Sequence, residues 1–386
     1  AVYTAAIHED NEEFAEARRQ GIPMLSRAEL LGQLMKNYDV PVAISGTHGK
    51  TTTTSMLSHI LLAAKKDPTI SVGGILKAIG GNIRVGSSEL FVTEACEYTN
   101  SFLHFFPKIA VILNIDADHL DFFKDLDDIR HSFRRFAQLL PADGTLIINK
   151  EIEHLEEITD GLSCRVVTFG LDSSADYYAD QISHDETGNA AFHVVSHGKD
   201  TGRVELSVKG DHNICNALSV IAVADLLDIS RDDVCSGLQS FTGTDRRFEH
   251  KGDWNGVTVI DDYAHHPTEI KATLKAADVY PHREIWCVFQ PHTYTRTKAL
   301  FPEFVEALSH TDHVVLADIY AARETDTLGI SSQMLAEELK KKGCDAYYLP
   351  SFEAIEDFLK THCQKGDVLI TMGAGNVVNI GEALLK

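Results

Sequence analysis

Short apolar runs rich in β-branched residues alternate with amphipathic stretches along most of this chain. A run that is apolar on both faces must be covered on both faces, so the alternation predicts α/β layers around mostly parallel sheet. Residues 1–40 read as a strand (AVYTAAI), a helix (NEEFAEARRQ), a short strand (GIPML) and a helix (SRAELLGQLMKNY). VPVAIS is then a strand, followed at once by the helix KTTTTSMLSHILLAA. ELFVTEA, IAVILNI, GTLIINK and RVVTFG extend the sheet, and DLDDIRHSFRRFAQLL is an amphipathic helix. Residues 177–209 alternate polar and apolar without helices, which predicts a small antiparallel patch, and DHNICNALSVIAVADLLDI is helical. A second α/β unit follows TDRRFEHKG, with strands at VTVIDD, REIWCVFQ, DHVVLADI, DAYYLP and DVLITMG. The 386 residues exceed one ordinary core. The expected units are 1–40, 41–245 and 246–386.

The net charge of −22 disfavours polyanionic partners, so neither nucleic acid nor an anionic membrane surface is expected. Any phosphate must therefore be held by a local device: backbone amides, a lysine or a metal. No apolar run approaches the ~18 residues of a membrane span. The first residues lack the basic start and apolar stretch of a signal peptide and read like the middle of a domain, as in a truncated piece. The seven cysteines are scattered with no CxxC, which argues against a cysteine-zinc or disulfide framework and suits a reducing cytoplasm.

VPVAISGTHGKTTTTSM carries the strongest chemical signal. It departs from the strict phosphate-loop pattern Gly-x-x-x-x-Gly-Lys-Ser/Thr, because Ile44 stands where the first glycine would be. The context is nevertheless that of a phosphate site. A buried strand runs into a glycine-containing loop that opens a helix, where amides and the helix dipole converge on an anion. Gly46 and Gly49 let the backbone approach, Lys50 places a cation on the terminal phosphates, and the Thr51 hydroxyl reaches a magnesium ion. A plain strand–turn–helix corner has no need of Lys-Thr beside two glycines.

Two further strand ends add acids. Glu94 closes the strand ELFVTEA; alone it reads as a solvated strand-end glutamate, but ligands of open α/β sheets bind at such ends. Asp116, Asp118, His119 and Asp121 follow the strand IAVILNI, and suit either metal and general-base chemistry or an acidic loop capping the next helix. DDYAHHPTE reads, by itself, as a turn before a helix with proline at its first position.

GTHGKTTTTSML, EACEYTNSFL, ILNIDADHLDFFKDLDDI, GDHNICNALSVIAVA, DRRFE, DDYAHHPTEIKATL and FQPHTYTRT occur in this order, and together they closely resemble the Mur ligases of bacterial cell-wall synthesis over the whole chain. The resemblance implies a three-domain fold: the remnant of a UDP-sugar-binding Rossmann-like domain, a central ATPase-type α/β domain and a C-terminal Rossmann-like domain that closes on it. It implies an ATP-dependent amide ligase that phosphorylates a carboxylate and lets an amine attack the acyl phosphate. GTHGKT, DDYAHHPTE and FQPH-Y-RT resemble the branch whose carboxylate is the lactyl group of UDP-N-acetylmuramate and whose amine is L-alanine. Carried over by motif, Gly46, Thr47, His48, Gly49, Lys50, Thr51 and Thr52 bind the ATP phosphates. Thr51 with Glu94 would hold one magnesium, and Glu94 with His119 a second. Asn213 and Asn216 lie near the adenine, Asp262 at the ribose and Arg247 at the γ-phosphate. His265, His292 and Arg296 line the amino-acid side, Arg296 as a planar fork for the alanine carboxylate. His265, His266 and His292 are all candidates for the amine proton.

The family's first strand and glycine-rich turn are missing from residues 1–40. The carbamylated lysine that related ligases carry after the acidic loop has no counterpart, and Arg134 falls near its place. Three rival readings are a recycling ligase that adds a tripeptide to the same sugar nucleotide, a nucleotide-driven switch that makes no bond, and a dehydrogenase resting only on Gly373–Asn376 (GAGN).

Overall fold

The computed structural model describes residues 1–386 except 5, 6, 8, 121, 187 and 323. Its strands are β1 (Val2–Tyr3), β2 (Leu25–Ser26), β3 (Val40–Ser45), β4 (Thr69–Leu76), β5 (Gly81–Arg84), β6 (Leu90–Ala95), β7 (Ile109–Ile112), β8 (Thr145–Asn149), β9 (Arg165–Gly170), β10 (Tyr177–His184), β11 (Asn189–Ser196), β12 (Lys199–Lys209), β13 (Glu249–Trp254), β14 (Val257–Asp262), β15 (Ile285–Phe289), β16 (His313–Leu316), β17 (Asp345–Tyr348) and β18 (Val368–Met372).

A ten-stranded central sheet runs in the order β12-β11-β10-β9-β8-β7-β3-β6-β4-β5. From β4 through β10 its neighbours are parallel. β10, β11 and β12 form the antiparallel patch expected over 177–209. On one face pack the helices Lys50–Ala63, His212–Leu226 and Arg231–Ser240, around Ile44, Met56, Leu57, Val111 and Phe192. The other face is filled by Phe102, Phe133 and Phe136, with the helix Leu126–Ala137. Each such side chain adds roughly 1.5–3 kcal/mol on burial.

The second sheet is six-stranded, in the order β13-β14-β18-β15-β16-β17, and parallel except for the edge pair β13–β14. Its two faces carry separate apolar clusters. At the amino end, among the described residues, only β1 and β2 pair, in parallel. Of the expected AVYTAAI strand, Val2 and Tyr3 are strand and Ala1, Thr4 and Ile7 are not, while Ala5 and Ala6 lie outside the described residues. GIPML likewise contributes only Leu25, since Pro23 has no amide to donate. β4, β5 and β13 were not anticipated. TISVGGIL is broken by two glycines, and β13 is polar along its length, so neither shows an apolar run.

Both β3 and β7 end at the side of the central sheet that faces the second sheet. The loops after β3 and β7 therefore meet the start of the helix Pro267–Asp278.

Candidate functional site

β3 delivers the chain to the loop 46–49. Gly46 has φ 147°, and a Cβ there would lie 2.9 Å from the Leu113 Cβ. Gly49 is left-handed (φ 85°), and its Cβ would meet Asn216 Oδ1 at 2.9 Å. Both positions thus require glycine. Asn114, just past β7, pins the loop: the Thr47 amide donates to its carbonyl (3.1 Å), and the His48 amide donates to its Oδ1 (2.8 Å). The helix Lys50–Ala63 that follows has no side-chain cap. Its first-turn amides and dipole suit an anion. Lys50 folds over the loop, donating to the carbonyls of Gly46 and Thr47 and to Glu97 Oε2 at 2.9 Å. Burial opposes its charge, but buried Glu97 outweighs this and raises the ammonium above its ordinary value.

The Thr51 hydroxyl donates to Glu94 Oε2 at 3.1 Å, and the Gly73 amide donates to the other carboxylate oxygen. His119 is instead beside Glu97 (3.7 Å) and Asp118 (3.8 Å), with the Tyr98 ring 4.5 Å away. Thr51 and Glu94 therefore come together as expected, while the carboxylate that His119 meets is Glu97. Asp121 lies outside the described residues. A hydroxyl and two carboxylates beside a phosphate-loop lysine are hard oxygen donors and fit magnesium; His119 is the unusual member. Arg134 is committed elsewhere, donating to the carbonyls of Glu157 (2.6 Å) and Asp160 (2.9 Å).

A cavity of about 810 Å³ lies between the two sheets, lined among others by Gly49, Thr52, Asn213, Asn216, Arg247 and Asp262. That size suits a nucleotide. The Asn216 amide donates to Asn213 Oδ1 at 2.9 Å, fixing both side chains. Asp262 accepts the amides of Phe248 (2.8 Å) and Ala264 (2.7 Å), and burial pushes its pKa up to about 6 despite Arg247. The Arg247 guanidinium lies 5.3 Å above the Tyr263 ring and 3.9 Å from Glu269.

Across the cleft, His265 Nδ1 donates to the Tyr263 carbonyl (3.0 Å), so its Nε2 carries the lone pair when the ring is neutral. Burial lowers its pKa to about 4, which keeps it neutral. His292 lies with its ring 6.0 Å from that of His265, and Arg296 donates to its Nδ1 at 3.2 Å. Arg296 also donates to Asp118 Oδ1 at 3.0 Å, spanning the two sheets. Glu269 is the hub: it accepts the His265 amide (3.0 Å) and sits 3.1 Å from His48 Nδ1. Burial acts to lower the pKa of His48, but Asp116 and Glu269 outweigh this and raise it to about 9.

Glu97, Asn114 and Glu269 are site residues whose roles no sequence motif marks. Glu97 had a faint signal, a second acid three residues beyond Glu94. Glu269 had a clearer one, since His266 and Glu269 form a capping box at the helix start. Asn114 had none that distinguishes it from any polar residue ending a strand.

Three family profiles match in succession: "Mur ligase family, catalytic domain" over residues 1–39, "Mur ligase middle domain" over 44–224, and "Mur ligase, glutamate ligase domain" over 246–375. A protein of Agathobacter rectalis named UDP-N-acetylmuramate–L-alanine ligase is 60% identical over 385 residues, covering 100% of this chain and 84% of its own. The structure of UDP-N-acetylmuramate-alanine ligase from Thermotoga maritima superposes with a TM-score of 0.84 at 29% identity, over 100% of this chain and 84% of that one. A murein peptide ligase from Psychrobacter arcticus gives 0.72 at 25% identity, over 98% and 84%. The three-domain α/β architecture, the matched profiles and this identity agree: the chain belongs to the Mur ligase family.

Proposed function

We propose that this chain is an ATP-dependent ligase that joins L-alanine to the lactyl carboxylate of UDP-N-acetylmuramate. In the first step a carboxylate oxygen bonds to the γ-phosphorus, the bond from that phosphorus to the β–γ bridging oxygen breaks, and ADP leaves. In the second, the alanine nitrogen bonds to the acyl carbon, the carbon–oxygen bond to phosphate breaks, and the amine loses a proton. Lys50 and the uncapped helix amides orient the phosphates, and Arg247 reaches the γ-phosphate from the other side. Asn213 and Asn216 border the adenine, and Asp262 the ribose. Thr51 and Glu94, with Glu97 and His119 alongside, would hold magnesium, which when bound supplies positive charge for the phosphoryl oxygens. Arg296, fixed by Asp118 and His292, provides the cation for the alanine carboxylate. His265 Nε2, neutral and proton-free, accepts the amine proton.

The observation that carries this reading is the meeting of a phosphate loop with a histidine–arginine cluster across one interface, held by His48–Glu269 (3.1 Å) and Arg296–Asp118 (3.0 Å). A switch needs no such second cluster, and the identity to alanine ligases favours alanine over a tripeptide. With ATP, magnesium, UDP-N-acetylmuramate and L-alanine, phosphate release is expected to need both substrates and to yield the amide. Amide formation with the tripeptide alone would overturn the choice of alanine, and phosphate release indifferent to both substrates would overturn ligation.

A further inference from the structure

We propose that His48, Asp116 and His266 form a binding site for a transition-metal ion of the zinc type, separate from the oxygen donors around Thr51 and Glu94. It does not rest on the substrate assignment above. The ligand-capable atoms of these three residues all lie within 4.8 Å of one another. Asp116 Oδ2 is 3.4 Å from His48 Nε2 and 3.8 Å from His266 Nδ1. A tetrahedral zinc ion with bonds of about 2.0–2.2 Å sets its ligand atoms roughly 3.3–3.5 Å apart, a spacing the Asp116–His48 pair already has and towards which His266 would close.

The surroundings of each ligand strengthen the case. Metal-bound histidines hold their other ring N–H on a carboxylate or carbonyl. His48 presents Nδ1 to Glu269 at 3.1 Å, leaving Nε2 towards Asp116. His266 donates Nε2–H to the Ala117 carbonyl at 3.0 Å, and its Nδ1 accepts the Thr268 amide at 3.3 Å, a helix-cap bond that a metal ion would replace. Thr268 donates its hydroxyl to Asp116 Oδ2, fixing that carboxylate. The His266 ring and the carboxylate are thus oriented towards a common centre, and His48 binds an ion there by giving up its Nε2 proton. Two imidazoles and one carboxylate favour zinc or cobalt over magnesium. His48 and Asp116 follow central strands, whereas His266 caps a helix beside the second sheet. A bound ion would therefore tie the two units together and slow any step that needs them to part.

Cobalt(II) is the probe, titrated into the full chain in excess magnesium. One ion per chain with tetrahedral ligand-field absorption is expected, displaced by zinc and not by magnesium. His266→Gln and Asp116→Asn should each weaken binding more than tenfold, and Glu269→Gln by about 10–100-fold, because Glu269 orients the His48 ring. Displacement by magnesium, or unchanged binding in both ligand variants, would overturn the proposal. Should the variants not fold, anomalous scattering from zinc-soaked crystals of the unaltered protein decides. A peak between His48 and His266 supports the site, and a peak elsewhere or none at all refutes it.

Discussion

The two sides of the cleft hold their functional groups in different ways. On the central side, the phosphate loop is fixed by its own sheet: Asn114 pins its amides, Glu97 pairs with Lys50, and two glycines take conformations that closed space enforces. On the second side, the groups are held from across the interface. Arg296 rests on Asp118, Glu269 on His48, and His266 on the Ala117 carbonyl. The proposed phosphate half is therefore preorganised, whereas the proposed amine half is completed only when the two units meet.

The harshest way to break this contrast is Lys50→Ala. It removes the cation proposed to face the transferring phosphoryl group and is expected to lower kcat/KM about a thousandfold in a phosphate-release assay. Next comes Arg296→Ala, which strands the buried carboxylate of Asp118. It should cost about 3 kcal/mol in urea unfolding, with Arg296→Lys recovering part of it. A loss no larger than that of an exposed pair would mean that the interface does not hold the amine half. Gly49→Ala sharpens the other half. It forces a left-handed alanine at about 1–2 kcal/mol and crowds Asn216, so nucleotide affinity should fall with little change in alanine dependence.

Protonation separates the sides again. The pKa of His48 is raised from 6.5 to about 9, so its contribution to stability is fully present below 6.5 and is lost as pH rises through 9. His265 is lowered from 6.5 to about 4, so stability is lost as pH falls from 6.5 towards 4. Stability followed against pH should lose its alkaline limb in His48→Gln and have its acid limb reduced in His265→Gln. The smallest effect is expected for Lys275→Ala. Its bridge to Asp211 (2.8 Å) also spans the interface but is exposed, so the change should stay within about 1 kcal/mol.

The same contrast governs how much could be read from the residues alone. The phosphate side is local: a strand, two glycines and Lys-Thr at a helix start lie within one continuous stretch, and its parallel strands are apolar runs. The amine side is not local. His265 and Arg296 lie on different segments, and only the fold brings His265 beside His292 and Arg296 onto Asp118, so only resemblance to a family points to their roles. Between them sit the residues that no stretch announces. Glu97 is a charged residue just past a strand, and only the position of Lys50 and His119 in space shows what it holds. β4 escaped notice because Gly73 interrupts an apolar run, yet that glycine is what lets the Glu94 carboxylate approach the backbone: a Cβ there would meet Glu94 Oε2 at 2.8 Å.

The claim that both halves act in one reaction, with the carboxylate activated on the phosphate side before the amine arrives, is tested most directly by isotope transfer. UDP-N-acetylmuramate carrying heavy oxygen in its lactyl carboxylate would be turned over with ATP and L-alanine, and the released phosphate examined by mass. The account predicts that each phosphate carries one labelled oxygen from the carboxylate. Phosphate released without label, with the lost carboxylate oxygen recovered in water instead, would contradict it.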